Sequence, residues 1–227
     1  MTTVQAGLTY YKQVNEQIRA AQDSEITVEN VIGQRYIGCG STDRKITVYG
    51  TAGNGLGQYL NGSTIEVFGN AQEAVGDACG YAMRGGKIYI KGDCGYRAGI
   101  HMKAYQQHFP VMVVGGKAGS FLGEYLAGGL ILVLGIGQNG AYPVNNFCGT
   151  GMHGGKIVLR CDKAPTDLPR QVLVSEVSAD DMTEFAPYIK EYAQLFDADA
   201  ENLLSQKYFV LTPNPEAGYK QLYTFEA

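Results

Sequence analysis

Charged side chains are scarce in this sequence: Asp, Glu, Lys and Arg make up 18% of 227 residues, against about 25% in an ordinary globular domain. With 45% hydrophobic residues, that scarcity argues against disorder and for a large buried fraction. A basic excess is missing as well. The net charge of −4 and the lack of a basic cluster speak against a nucleic-acid partner. Long apolar runs are also missing, since the most hydrophobic stretch, Gly128 to Gly137, falls far short of the roughly 20 residues that a membrane span needs. The start, Met1-Thr2-Thr3-Val4-Gln5, has no basic segment leading into an apolar one. No membrane association or secretory signal is expected, and the expected location is the cytoplasm. Cys39, Cys79, Cys94, Cys148 and Cys161 are odd in number and scattered, which fits reduced, buried thiols better than a disulfide framework.

Glycine is abundant instead. The chain has 31, roughly twice the usual share of about 7%. Each glycine inside a regular element costs about 0.5–1 kcal/mol relative to alanine, so this many must stand where the backbone needs them. They are ordered. Short β-prone runs recur: Ile46-Thr47-Val48-Tyr49, Thr64 to Phe68, Lys87 to Ile90, Val111 to Val114, Leu130 to Leu134 and Lys156 to Leu159. The first five are closed by Gly50, Gly69, Gly92, Gly115 and Gly135, at intervals of 19, 23, 23 and 20 residues. A second spacing of seven links Gly50 to Gly57, Gly69 to Gly76, Gly92 to Gly99 and Gly116 to Gly123.

Self-similarity near 20 residues predicts a solenoid in which each repeat is one coil. Strand side chains alternate, so Ile46/Val48, Ile65/Val67, Ile88/Ile90 and Ile157/Leu159 are expected to stack inward. The corner glycines expected to allow sharp bends and close coil contact include Gly50, Gly53, Gly55, Gly57, Gly69, Gly76, Gly92, Gly99, Gly123 and Gly135. A hairpin-built sandwich is the rival, but the turns lack a uniform Asn-Gly pattern and the units resemble one another.

The two ends differ from the middle. Residues 1–24 read as a helical extension, with Val14, Ile18 and Ala21 at helical spacing. Residues 25–161 form the glycine-rich solenoid. Residues 162–227 read as a linker, helices and a terminal extended segment. In that tail Ser178-Ala179-Asp180-Asp181 starts a helix, Phe185, Tyr188, Ile189, Tyr192 and Phe196 mark its apolar face, and Pro187 is expected to begin a second helical segment. A further short helix is expected over 199–204, and Tyr208-Phe209-Val210-Leu211 as the extended end.

No catalytic or metal-binding set emerges, so no catalytic, cofactor or metal residue is assigned. Gly53-Asn54-Gly55-Leu56-Gly57 lacks the strand–turn–helix setting of a nucleotide loop, and corner glycines explain it better. There is no Cys-x-x-Cys and no Cys/His pair at zinc spacing. His101 and His108 flank a possible interface loop, and His153 precedes a turn. Glu66, Glu73, Asp77, Asp93 and Glu124 are the carboxylates that a carbohydrate-active solenoid would use, though their spacing does not separate that role from a solvated surface. The chain could also self-associate through its exposed faces.

One set of motifs is specific. Gly33-Gln34-Arg35-Tyr36-Ile37-Gly38, Gly50 to Gly57, Gly69 to Gly76, Gly95 to Lys103, Gly123 to Gly129 and Gly151 to Gly155 resemble, in order, the G-x-G-x-G domain of the glutamate synthase large subunit, in its free-standing form. The resemblance covers about residues 25 to 161 and suits the tail through Pro213. It implies an all-β, right-handed parallel β-helix with short helical extensions at both ends. It also implies a scaffold role in forming glutamate from glutamine and 2-oxoglutarate. The partners it implies are a glutamine amidotransferase subunit with an N-terminal cysteine nucleophile and a synthase subunit carrying FMN and iron–sulfur clusters. No cofactor is expected on this chain, and Thr2 stands where that nucleophile would be. Similar free-standing domains occur in formylmethanofuran dehydrogenase and N-methylglutamate synthase complexes, and the tail and the Gly33 to Gly38 run lean toward the glutamate synthase side.

Overall fold

The computed structural model describes residues 1–71 and 79–216. Its elements follow in order as β1 (Thr2–Gln5), α1 (Tyr11–Ala20), β2 (Glu25–Ile32), β3 (Lys45–Thr51), β4 (Thr64–Phe68), β5 (Lys87–Ile90), β6 (Val111–Val114), β7 (Ala127–Val133) and β8 (Gly154–Arg160). Then come β9 (Val172–Glu176), α2 (Ala179–Phe196), α3 (Ala200–Leu204) and β10 (Tyr208–Pro213). Strands β1 through β8 pair with their sequence neighbours in parallel, which makes a β-solenoid with one coil between each strand and the next.

Register explains the core. Ile26, Ile46, Ile65, Ile88, Met112, Ile131 and Ile157 lie directly over one another. Two residues on, Val28, Val48, Val67, Ile90, Val114, Val133 and Leu159 do the same, and all fourteen are buried in one cluster. β-branched side chains suit this pleated stacking, because each packs on its counterpart one coil away. On the far side of each coil, bridges join Ala52, Ala71, Cys94, Ala118 and Val144 into a narrow second ladder. Four of these five are alanine or cysteine, and all five are buried in the same cluster as the isoleucine and valine columns.

The outward column of the strands changes along the stack: Thr3, Thr27, Thr47 and Glu66 come first, then Tyr89, Val113, Leu132 and Val158. The apolar half lies under α2, whose Phe185, Ile189, Tyr192 and Phe196 bury against it. Burial of each such side chain contributes about 1.5–3 kcal/mol. Tyrosine hydroxyls fix the helix in register. Tyr192 donates to Lys91 O at 2.8 Å, and Tyr89 donates to Glu191 at 2.6 Å. Burial and the Glu191 carboxylate push the Tyr89 hydroxyl far above its ordinary pKa.

Both ends of the stack are closed. Helix α1 turns Val14, Asn15 and Ile18 inward, and Asn15 Nδ2 donates to Arg35 O at 2.8 Å. At the other end β10 runs antiparallel between β8 and β9.

Several expectations need correction. Residues 1–24 contain strand β1 as well as the helix, and the tail of linker and helices contains a strand, β9, between the linker at 162–170 and the helix start at Ser178. The extended end, β10, is terminal in sequence but interior in the sheet. Pro187 starts no new segment, since α2 runs through it without interruption. The capping box at Ser178 does form, with Asp181 N donating to Ser178 Oγ at 3.1 Å. A helix over 199–204 also forms, with Asp199 as its cap.

Candidate functional site

After each bridge residue the chain makes a tight turn in which left-handed residues alternate with others. The first left-handed position holds Tyr36, Gly55, Arg97, Phe121 and Phe147 in successive turns. The equivalent residue of one further turn, Ala78, lies outside the described residues. The middle position holds Gly38, Gly57, Gly80, Gly99, Gly123 and Gly149, and the third holds Gly40, Tyr59, Ala82, His101, Tyr125 and Gly151. Alternation points the N–H groups of consecutive left-handed residues at opposite neighbours, with a bond inside the turn between them: Gly57 N donates back to Ile37 O at 2.9 Å, Gln58 N to Gly55 O, and Tyr59 N onward to Tyr81 O at 2.8 Å. The turn is thereby paired on both sides without ordinary strand geometry.

The middle position faces inward. A Cβ on Gly57 or Gly123 would lie 2.6 Å from Cδ1 of Ile88 or Ile157, the isoleucine of the adjacent coil. Gly99 meets Ile131 in the same way. Other predicted corner glycines serve a different contact. At Gly50, Gly53 and Gly69 a Cβ would fall on the carbonyl of Val31, Gly33 and Gly50, and at Gly92 on the side-chain amide of Asn70. Gly55 sits against the Tyr36 ring, and Gly135 bends beside Pro143. Gly76 lies outside the described residues. The inward place that a seven-residue spacing assigns to it is held by Gly80, because nine residues rather than five follow the bridge residue in that coil.

The first and third positions face outward and include the exposed rings of Tyr36, Tyr59, Tyr125 and Phe147; Tyr81 and Tyr96, each one residue before such a position, join the columns that these rings form. Tyr59, Tyr81, His101 and Tyr125 form one column, with centroids 5.4, 5.7 and 5.1 Å apart, and the last pair is stacked at 9°. Tyr96, Phe121 and Phe147 form a second, with spacings of 5.3 and 4.8 Å. These separations suit edge-to-face and offset-stacked attraction. Arg97 lies over the Tyr96 and Phe121 rings at 5.1 and 5.4 Å. Its Nε stands 3.0 Å from the buried Glu124 carboxylate, at an angle too poor for a hydrogen bond. The sequence carries a signal for these columns that the repeat reading passed over: an aromatic two residues before or after the inward glycine, as in Phe121-Leu122-Gly123-Glu124-Tyr125.

The other candidate residues are dispersed. Glu66 pairs with Lys45 at 3.0 Å and accepts from Thr47, and Asp93 Oδ1 accepts from Lys117 N at 2.8 Å. Glu73 and Asp77 lie outside the described residues. Among the described residues no group of three His, Cys, Asp or Glu side chains is placed to hold a metal ion. Cys79, Cys94, Cys148 and Cys161 are buried, but Cys39 is exposed, contrary to the expectation of buried thiols throughout. Desolvation raises the Cys148 thiol to about 12, and a thiol–thiol hydrogen bond with Cys94, with burial second, holds Cys79 well above its usual value. A cleft of about 680 Å³ separates α2 and α3 from the end of β8, with Lys91, Arg160 and Asp162 on its wall. Arg160 is committed there to the carbonyls of Leu134 and Gly135. Among the described residues no helix is long and apolar enough to cross a membrane.

The profile of the GXGXG motif family matches residues 73–213. The uncharacterized protein MJ1350 of Methanocaldococcus jannaschii is 38% identical over a 243-residue alignment that covers 95% of this chain and 93% of the relative. Among solved structures, a chain of the formyltransferase/hydrolase complex FhcABCD of Methylorubrum extorquens, crystallised with methylofuran, superposes with a TM-score of 0.53. It is 21% identical, over 82% of this chain and 72% of that one. At that identity the likeness is one of fold.

Proposed function

The chain belongs to the GXGXG motif family, and on that premise we propose that it is a non-catalytic structural subunit of a larger enzyme complex, of the glutamate synthase type. The observation that carries this reading is the division of labour on the coils. Glu66, Asp93 and Glu124 are spent on contacts within the stack, while the outward turn positions present aromatic columns to solvent. A carbohydrate-active solenoid needs convergent carboxylates free to act, about 5–10 Å apart; carboxylates held by Lys45, by a backbone N–H and by Arg97 do not serve that need. Exposed aromatic surface on a rigid scaffold serves docking.

In this reading a glutamine amidotransferase subunit and an FMN and iron–sulfur synthase subunit hold the chemistry and its cofactors. The likeness to a chain of a formyltransferase/hydrolase complex favours a second parent, one that handles formyl groups. Affinity purification of the tagged chain from its native cell distinguishes them. The expected result is co-purification of an amidotransferase and a flavin protein, with glutamine-dependent glutamate formation by the complex and none by the chain alone. Recovery of formyl-transferring subunits instead overturns the glutamate assignment, and recovery of the chain by itself overturns the subunit reading.

A further inference from the structure

The sheet has two outermost strands, β1 and β9, and their free edges differ. β1 presents Thr2, Thr3 and Gln5, with the Gln5 side chain bonded to Glu29 and Asn30. β9 is apolar at its centre, where Leu173 and Val174 are 45% and 36% exposed. Its one charge, Glu176, lies at the end of the strand and is taken by Lys207 at 2.9 Å. β9 contains no proline and no bulge, so the devices that usually keep an edge from pairing are missing from it.

Pairing with β10 fixes which backbone groups of β9 are free. Val177 N donates to Tyr208 O at 2.9 Å, and Asn214 N donates to Gln171 O at 2.8 Å. Both continue the antiparallel register of β9 on β10. Hydrogen-bonded positions alternate along such a ladder, so Leu173 and Ser175 also turn their backbone groups to β10, and Val172, Val174 and Glu176 turn theirs away. Val172 N is met by Pro169 O. Among the described residues no group pairs with the backbone of Val174 or Glu176 on that side.

We propose that β9 is the contact between two copies of this chain, paired antiparallel about a two-fold axis at Val174, so that one sheet continues through both molecules. In that register Val174 lies opposite its own counterpart, Val172 opposite Glu176, and Leu173 opposite Ser175. The open groups close about four N–H···O bonds. The two Val174 side chains pack on one face, and the two Leu173 meet diagonally on the other. Charge selects the same occupant. Arg170 of one copy comes opposite Ser178 of the other, at the start of α2, where Asp180 stands in the first turn. Arg170 and Asp180 are exposed, and among the described residues neither has an ion-pair partner within its own copy. Two-fold symmetry makes this contact twice. The inference goes beyond the subunit reading and does not depend on it.

Sedimentation of the purified full-length chain over a range of concentrations tests it, with a reversible species of twice the monomer mass as the expected result. Val174→Pro deletes an outward N–H and no bond to β10, and is expected to weaken the dimer by about tenfold or more. Val174→Lys sets like charges opposite each other and should do the same. A thermal unfolding curve checks that the variants fold. Arg170→Asp and Asp180→Arg are each expected to weaken the dimer about fivefold, and the two together to restore it. A monomer at every concentration overturns the proposal, as does one that pairs only after removal of residues 217–227. A dimer indifferent to both Val174 variants overturns it as well. So do polymers that grow with concentration, which pairing of β9 with β1 would give.

Discussion

Phe121, Gly123 and Tyr125 occupy one turn and share one backbone conformation, with φ of 61°, 64° and 53°, yet they meet opposite environments. The outer two turn their side chains outward, Phe121 half-buried and Tyr125 exposed, where a left-handed residue costs about 1–2 kcal/mol without a packing collision. The middle one points at Ile157 of the adjacent coil, so any side chain there adds a packing collision to the backbone cost. The same contrast recurs around Gly99, between Arg97 and His101. Glycine in these turns is therefore demanded by space at the middle position, whereas Gly40 at an outer position meets nothing and serves the backbone alone. Only the middle glycine recurs at the same place in every described turn.

The largest effect that could break this contrast is Gly123→Val, expected to cost about 4 kcal/mol from left-handed strain plus overpacking. Gly99→Ala is expected to cost about 3 kcal/mol. Adding Ile131→Val, which removes the obstructing methyl group, should recover part of that loss. Chemical denaturation measures both, and a loss under 1 kcal/mol for Gly123→Val would mean that the turn yields and the inward position is not special. Next comes Glu124→Ala, which strands the half-exposed Arg97 and is expected to cost about 1–2 kcal/mol, less than for a fully buried pair. Tyr125→Gly should change stability by less than about 1 kcal/mol, since relief of left-handed strain offsets lost stacking. The smallest perturbation is chemical. Cys39 and Cys148 flank equivalent inward glycines, Gly38 and Gly149, on opposite sides. Cys39 is exposed, and Cys148 is buried with its thiol raised to about 12. Under native conditions a thiol reagent should modify Cys39 alone, and mass spectrometry should find Cys79, Cys94, Cys148 and Cys161 modified only after unfolding.

The coils were legible because isoleucine and valine pairs recur with period two and glycine closes each run, and the inward columns from Ile46 to Leu159 follow directly from that. Strands β1 and β9 were not, because Thr2-Thr3-Val4-Gln5 holds a single aliphatic residue, Val172 to Glu176 has no glycine beside it, and both gain their strand form from neighbours. Pro187 misled for a similar reason. Its missing N–H normally ends a helix, but Phe185 before it and Ile189, Tyr192 and Phe196 after it all bury against the strands, and that packing outweighs a penalty of about 3 kcal/mol. The aromatic columns were hidden by attention to glycine. Left-handed tyrosine, arginine and phenylalanine are rare enough locally that no rule of turn composition places them, and only the register between coils brings His101 over Tyr125 and sets Tyr81, one residue before Ala82, against Tyr59.

Parallel stacking in fixed register has one further consequence. Each coil advances the molecule by about 4.8 Å, the spacing of paired strands, and equivalent residues return to the same angular position. Groups anchored at two levels of the stack are therefore held at separations that come in whole multiples of that step. Inserting or deleting one coil would shift everything beyond it by a single increment without rotating it out of line, so the protein works as a ruler graduated in turns.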